Sequence, residues 1–315
     1  MSFGEADGHM SNMPTAYKEE AIVNSTAELP AAPATTQATG AEVAGSPLTG
    51  IVVSRDGTRI AYSRVGSGEP LILVDGALND RSLPPAPNPK LAAALSSRLT
   101  VFTYDRRGRG ESGDTHRCEV EREVEDLAAL VEAAGGTAHL YGISSGGALA
   151  LEAAGRLSSI GRLALYELPF VVDNSRAPIP AAFADHLAEL ARKNLRAEAL
   201  RYFFTVGIGL PRLMVTMMHL LPAWSKLKAL AHTLPYDARL IGDAGSGRPL
   251  PAERWASVAT PTLVIAGTKS PAWMRNAMRS LAEVLPNARH HELKGQTHLV
   301  KPKALAPVLS EFFHE

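Results

Sequence analysis

The residues best suited to covalent chemistry lie in the glycine- and serine-rich hexapeptide 142–147. An apolar run precedes it and an alanine-rich stretch follows it, which predicts a sharp turn between a strand and a helix. A serine on such a turn has a strained backbone, and the residues two before and two after it must be small because strand and helix nearly collide. Gly142 and Gly146 meet this condition around Ser144, whereas a motif centred one residue later would put Ile143 where a side chain has no room. The sequence therefore predicts Ser144 as a nucleophile; the alternative is a glycine-rich helix start without chemistry.

A serine hydroxyl attacks a carbonyl only if a base takes its proton, and imidazole suits this task because its pKa lies near the working pH. Of the ten histidines, His298 alone occupies a short loop between the last predicted strand and the final helix, where it can meet the serine. His290 and His291 fall inside that strand, and His139 is expected to face the packing of the sheet. We predict His298 as the base, against the alternative of a purely structural histidine.

Hydrophobic periodicity predicts the elements that must position these residues. Two predicted helices, 121–134 and 303–313, each collect their apolar residues on one face. Alternating strands and helices predict an α/β fold, a mostly parallel eight-stranded sheet flanked by helices. Ligands of such sheets bind beyond the carboxyl ends of the strands, where Ser144 is placed. The predicted strands are 51–54, 59–64, 71–75, 101–104, 138–142, 163–166, 262–266 and 290–293.

The chain divides into three predicted regions. Residues 1–48 are rich in Ala, Thr, Pro, Gly and Ser without apolar periodicity, and we expect them to be disordered. Residues 49–167 and 251–315 form the core, and residues 168–250 form a helical cap inserted after the sixth strand. The first region lacks the basic start and apolar run of a secretory signal, and Met1, Met10 and Met13 are all possible starts of translation.

The predicted cap contains a group of flexible apolar residues with two interpretations. They could line a pocket for a hydrophobic substrate, or they could seal the cap onto the sheet, which is the usual fate of an apolar helix face. These residues are Met214, Met217, Met218, Leu220, Leu221 and Trp224.

Composition narrows the class of protein. The 315 residues are 45% hydrophobic, contain no apolar segment long enough to cross a bilayer, and balance 32 basic against 32 acidic residues. We therefore expect a soluble cytoplasmic protein, monomer or homodimer, that binds a small-molecule substrate and neither nucleic acid nor membrane. The single cysteine, Cys118, excludes an internal disulfide framework and a cysteine-based zinc site.

One motif resembles a nucleotide-binding loop. Gly108, Gly110 and Gly113 have the Gly-x-Gly-x-x-Gly spacing that cradles a pyrophosphate when a helix follows directly. Here polar residues follow, and the next predicted helix starts several residues later. We interpret the glycines as a tight loop at the floor of the site and predict that the protein uses no cofactor and no metal.

In combination these motifs resemble the α/β-hydrolase superfamily over residues 49–315. The segment 56–62 is similar to that family's opening hairpin, 104–112 to its loop after the fourth strand, and 295–298 to its histidine loop. The order of nucleophile first and histidine near the end is also the family's. The resemblance implies an oxyanion hole formed by the N–H groups of Ser145 and Ala77. Many relatives carry a histidine where this chain has Asp75.

The resemblance leaves the acid of the triad open. Relatives usually place an aspartate after the seventh strand, but Ser270 stands there, and a neutral hydroxyl cannot stabilise an imidazolium as a carboxylate does. Some members take the acid from the end of the sixth strand, which implies Glu167, with Asp173 as the second choice. A carboxylate that pairs with an arginine to anchor the cap is the structural alternative for Glu167.

These observations predict a cofactor-independent hydrolase resembling the carboxylic ester hydrolases. Ser144, His298 and Glu167 would cleave an ester, lactone or related acyl bond of a small hydrophobic substrate through an acyl-enzyme. Perhydrolysis or carbon–carbon bond hydrolysis would use the same serine and histidine. A different class is also open: a catalytically weak relative that binds a small molecule.

Overall fold

The computed structural model describes residues 47–82, 87–115 and 119–315. The predicted disordered region therefore lies outside the described residues except for its last two, and Leu48 already begins the first strand. The three possible translation starts and Cys118 also lie outside them.

The described residues contain the eight-stranded sheet expected from the sequence. Its strand order is β1-β2-β4-β3-β5-β6-β7-β8. Strand β2 runs antiparallel to both of its neighbours, and every other neighbouring pair is parallel. The strands are β1 Leu48–Val53, β2 Arg59–Val65, β3 Glu69–Val74, β4 Leu99–Tyr104, β5 Ala138–Ile143, β6 Ile160–Tyr166, β7 Thr262–Gly267 and β8 Ala288–Leu293.

Helices cover both faces of this sheet. The helices outside the β6–β7 connection are α1 Pro87–Leu95, α2 Val120–Ala133, α3 Ser145–Ala154, α9 Ala272–Val284 and α10 Pro302–Phe313. Side chains alternate between the faces along β3: Leu71 and Leu73 belong to the apolar cluster with α1 and α10, whereas Ile72 and Val74 belong to the cluster with α2, α3 and α9. All four are buried, which explains why the central parallel strands have continuous apolar sequences.

The connection between β6 and β7 is helical in the described residues. Its α-helices are α4 Phe183–Arg192, α5 Arg196–Tyr202, α6 Arg212–Met218, α7 Trp224–Leu230 and α8 Leu234–Ile241, and a π-helix, Phe203–Ile208, follows α5 directly. We call this connection the insertion. The absence of strands from it agrees with the sequence pattern.

The apolar residues of the insertion were expected either to line a substrate pocket or to seal the insertion onto the sheet, and their exposure differs from residue to residue. Met214, Met217, Leu220 and Leu221 are each more than half exposed, so they do not seal the insertion onto the sheet. Trp224 is buried in the core, as the sealing interpretation requires. None of the helices in the described residues is long and apolar enough to cross a lipid bilayer.

Candidate active site

Ser144 lies on a strained turn between β5 and α3. Its φ of 56° and ψ of −130° place a non-glycine residue in a region that L-amino acids rarely adopt. A Cβ on Gly142 would lie 2.6 Å from the backbone oxygen of Gly146, and one on Gly146 would overlap the backbone oxygen of Asp75. The glycines therefore occupy the two positions where strand, helix and the loop after β3 touch.

Glu167 and His298 are in direct contact. Oε2 of Glu167 lies 3.1 Å from Nδ1 of His298, and because an ionised carboxylate only accepts, Nδ1 is the donor. Oε1 of Glu167 accepts from the N–H of Gly267 at 2.7 Å, which ties the carboxylate to the end of β7. Glu167 is fully buried, and its ion-pair partner among the described residues is this histidine, not an arginine.

Asp173, the second choice for the acid, has other partners. It accepts from the N–H and the hydroxyl of Ser175 and from the side-chain amide of Asn276, 2.7 Å away. The hydrogen bonds from Ser175 hold the pKa of Asp173 below its usual value. Ser270, where relatives usually carry the acid, is buried with no hydrogen-bond partner for its hydroxyl among the described residues. Only Glu167 of the two candidate acids is therefore brought to His298.

Tyr166 connects the nucleophile turn to the histidine loop. Its backbone carbonyl accepts from the N–H of Ser144 at 3.0 Å, and its phenol donates to the carbonyl of Thr297 at 2.7 Å. These contacts bring Ser144, Glu167 and His298 to one edge of the sheet. The hydroxyl of Ser144 makes no hydrogen bond to His298 within the described part of the chain. Catalytic hydrogen bonds in ligand-free enzymes are often long and shorten in the substrate complex.

The two predicted oxyanion donors lie beside Ser144. Within the described ranges, neither the N–H of Ala77 nor that of Ser145 donates a hydrogen bond. A Cβ on Gly76 would lie 3.0 Å from Cβ of Ser144 and 3.6 Å from its Oγ, so the loop that carries Ala77 passes directly against the serine. Ser145 is the first residue of α3, where helix N–H groups are free to bind an anion.

Asp75, which replaces the histidine of many relatives, is a buried carboxyl with an amide partner. Its Oδ1 accepts from the side chain of Asn79 at 3.1 Å. Burial removes the carboxylate from water and raises its pKa from 3.8 to about 6. This carboxyl directly precedes Gly76 and Ala77 of the proposed oxyanion loop.

A buried ionic network below the oxyanion loop was not anticipated from the sequence. Arg106 forms a two-point ion pair with Glu123, with both distances 2.8 Å, and also contacts Asp237 of α8 at 2.7 Å. Arg109 contacts the same Asp237 at 2.7 Å. The neighbouring Arg107 is equally buried. The sequence carried no signal for this network, since Arg106 and Arg107 stand beside the charged Asp105 and the pairs with Asp237 join distant parts of the chain.

The glycines of the apparent nucleotide-binding motif form a tight loop. The N–H of Gly108 donates to the carbonyl of Gly113 at 2.9 Å, and a Cβ on Gly110 would overlap the carboxylate of Asp105. The next helix in the described residues, α2, begins only at Val120. The helix N-terminus that a pyrophosphate requires does not follow the motif.

Two further observations on the described residues concern metal binding and a cavity away from the proposed catalytic residues. In residues 47–82, 87–115 and 119–315, no group of three or more His, Cys, Asp or Glu side chains could hold a metal ion. A cavity of ≈ 1100 Å³ is lined by charged residues such as Glu121, Arg156 and Arg239, and by none of Ser144, Glu167 and His298.

Comparison with known proteins agrees with this architecture. Residues 66–308 match the alpha/beta hydrolase family. The chain belongs to this family. Its membership and its likeness to a 48% identical alpha/beta hydrolase indicate a hydrolase.

Solved structures of this α/β-hydrolase's relatives cover most of its length. An alpha/beta hydrolase from Sphaerobacter thermophilus is 48% identical, with a TM-score of 0.75 over 84% of this chain and 99% of that one. The enol-lactonase from Burkholderia xenovorans shares the fold at 22% identity, with a TM-score of 0.59 over 84% and 100% of the chains. The bottromycin epimerase BotH, in complex with bottromycin A2, is similar at 25% identity and a TM-score of 0.54 over 84% and 97%. The search of curated proteins gave no significant match.

Proposed function

We propose that this α/β-hydrolase is a serine hydrolase that cleaves an ester, lactone or related acyl bond through an acyl-enzyme. The observation that carries the proposal is the 3.1 Å contact between Glu167 and His298 at the edge of the sheet where Ser144 sits on a strained turn. A buried carboxylate that fixes the proton on Nδ1 leaves the other ring nitrogen free to accept a proton.

In this mechanism Ser144 attacks the substrate carbonyl while His298 takes the proton from its hydroxyl. The carbonyl oxygen becomes an oxyanion, which the N–H groups of Ala77 and Ser145 stabilise. His298 then gives the proton to the departing alkoxide, leaving the acyl group on Ser144. Water attacks the acyl-enzyme while His298 takes one of its protons, and His298 then returns that proton to the oxygen of Ser144 as the bond to the acyl group breaks and the acid is released. The carboxylate of Glu167 accepts the hydrogen bond from Nδ1 and stabilises the imidazolium in both halves of the reaction.

The proposed substrate is a small hydrophobic molecule. Solvent-exposed apolar side chains support a hydrophobic substrate. Leu299, directly after His298, is 88% exposed, and Met214, Met217 and Leu220 of the insertion are also exposed. Exposed apolar side chains that form a contiguous patch often mark a ligand or partner site. We further propose that the insertion, with the predicted bounds 168–250, acts as a cap over the core. The protein would act in the cytoplasm without cofactor, as a monomer or homodimer, with neither nucleic acid nor membrane as partner.

The proposal is tested by labelling and turnover. A fluorophosphonate should modify Ser144, identified by peptide mass spectrometry, and the Ser144→Ala variant should lose both labelling and hydrolysis of short p-nitrophenyl esters. Ser225→Ala, an exposed serine in the insertion, is the matched control and should keep both. Labelling at another residue, or unchanged turnover in Ser144→Ala, would contradict the proposal.

A second candidate is a small-molecule binding protein with weak turnover. It is favoured by the missing Ser144–His298 hydrogen bond in the described residues and by the neutral Ser270 after β7. Such a protein would keep its ligand affinity in Ser144→Ala and show little hydrolysis before the change. Perhydrolysis or carbon–carbon bond hydrolysis would appear in product analysis, as peracid formed with hydrogen peroxide or as cleavage of a β-diketone.

A further inference from the structure

The carboxylate of Asp237 is shared by three donors below the proposed oxyanion hole. Its Oδ1 accepts from the hydroxyl of Ser145 at 2.8 Å and from Arg106 at 2.7 Å, and its Oδ2 accepts from Arg109 at 2.7 Å. All four residues are buried. Burial alone would raise the pKa of Asp237, but the charges of Arg109 and Arg106 hold it below its ordinary value. Asp237 is therefore ionised, and α8 of the insertion brings this charge to the core.

The first connection to the oxyanion hole is direct. Ser145 supplies one proposed donor through its backbone N–H, and its side chain is bound by Asp237. A hydrogen bond to a buried charged group is stronger than one between neutral groups, so it restricts the position of this residue at the start of α3.

The second connection runs through the arginines. Arg109 donates to the carbonyl of Gly76 at 2.7 Å, and Arg106 donates to the carbonyl of Asp75 at 3.2 Å. The carbonyl of Gly76 and the N–H of Ala77 belong to one planar trans peptide group, so they point in opposite directions. A cation on the carbonyl therefore orients the N–H of Ala77 and polarises it as a donor.

We propose that Asp237 is a positioning residue that aligns both oxyanion donors, Ser145 through its hydroxyl and Ala77 through Arg109. This inference rests on the proposed hydrolase function and adds a role for the insertion: α8 supplies the charge that sets the geometry of the site. Oxyanion donors act at close range, so small displacements reduce the rate of the chemical step more than they reduce substrate binding.

The test compares Asp237→Asn with wild type, using kcat, KM and two inhibitors. In the variant one carboxylate oxygen becomes an N–H₂ group, which cannot accept from Arg109, Arg106 or Ser145. The hydrogen bonds that align the two oxyanion donors are therefore lost. We expect kcat to fall on the order of 10- to 100-fold with KM changed by less than about 3-fold, because the donors act mainly in the transition state. A trifluoromethyl ketone, which forms a tetrahedral oxyanion on Ser144, should lose affinity by the same factor as kcat/KM. The matching methyl ketone, which stays trigonal, should bind unchanged.

Ser145→Ala removes only the direct connection and should lower kcat about 3- to 10-fold, less than the loss of a whole donor. Combined with Asp237→Asn, it should add little, since both changes break the same contact. Asp185→Asn is the matched control, because Asp185 is an exposed carboxylate that pairs with Arg239 of the same α8. Its activity should equal that of wild type.

The outcomes separate this inference from the proposed function. Wild-type protein without ester turnover or labelling of Ser144 would contradict the proposed function itself. An active wild type with a folded Asp237→Asn variant that keeps kcat and ketone affinity would overturn the role of Asp237. If Asp237→Asn does not fold, as circular dichroism would show, Ser145→Ala decides: unchanged kcat and unchanged trifluoromethyl ketone affinity would overturn it equally.

Discussion

Replacing Glu167 with glutamine changes a single buried oxygen, and its effect can be worked out from the two hydrogen bonds of the carboxylate. Oε1 accepts from the N–H of Gly267, and Oε2 accepts from Nδ1 of His298. An amide offers one acceptor and one donor. If its oxygen stays on Gly267, its N–H₂ faces Nδ1, which must then give up its proton. The proton moves to the other ring nitrogen, which can no longer accept one from Ser144.

The opposite orientation of the amide is also unfavourable. It would keep the bond to His298 but turn N–H₂ toward the N–H of Gly267, leaving a buried donor unpaired at a cost of about 1–3 kcal/mol. The first orientation is therefore preferred. A wrong histidine tautomer lowers kcat by about 10⁴-fold in a serine protease, so we expect a loss of about 10³- to 10⁴-fold for Glu167→Gln, equal to about 4–5.5 kcal/mol in activation free energy.

The assay is steady-state hydrolysis of p-nitrophenyl butyrate, with the concentration of active sites measured by titration. KM should stay within about 3-fold of wild type, because the acid acts on the transition state and not on substrate binding. Asp173→Asn is the control, since Asp173 binds Ser175 and Asn276 and should leave kcat unchanged. A large loss for Asp173→Asn, with Glu167→Gln near wild type, would refute the reasoning.

Three further predictions follow from the same contacts. Ser270→Asp in the Glu167→Gln background should recover at least about 10-fold of the lost kcat, because it returns a carboxylate to the position after β7; no recovery would show that this position cannot reach the histidine. Gly146→Ala should reduce the free energy of unfolding in urea by about 3 kcal/mol through overlap with Asp75, whereas Gly155→Ala, with its nearest neighbour at 3.4 Å, should be close to neutral. Because the folded protein holds the proton of Asp75 up to about pH 6 and the unfolded chain only to 3.8, this carboxyl's contribution to stability is complete below about pH 4. This contribution to the free energy of unfolding is then lost as pH rises through 6, and the total loss is about 3 kcal/mol. Asp75→Asn should remove that slope from the unfolding free energy, and an unchanged slope would contradict the assignment.

The fold could be predicted because its signals are local. Strands such as β3 and β7 are buried on both faces and therefore appear as short continuous apolar runs. The turn at Ser144 was predictable for a similar reason, since Gly142 lies against the backbone of Gly146 and Gly147, which are close in sequence, whereas the contact of Gly146 with the backbone of Asp75 is long-range. The π-helix Phe203–Ile208 had no such signal and lies within the region 168–250 that was predicted as a helical cap.

The choice between Glu167 and Asp173 needed coordinates, because both follow β6 and both preserve the order of serine, acid and histidine. Glu167 reaches His298 because it directly follows the strand on a left-handed turn with φ of 45°. Asp173 lies farther along the chain, where Ser175 and Asn276 bind it. Sequence spacing alone contains no information about these partners.

The contacts of Asp237 were beyond prediction because they join residues more than 90 positions apart in the chain. Their location has a consequence for the insertion. Glu167 lies where the insertion begins and Asp237 lies in its last α-helix, so the carboxylates that contact His298 and the proposed oxyanion donor Ser145 stand near its two ends. Exchanging the insertion for that of a relative should therefore change the alignment of the proposed oxyanion donors. Activity in such a chimera should depend on whether the new segment supplies a carboxylate to Arg106 and Arg109.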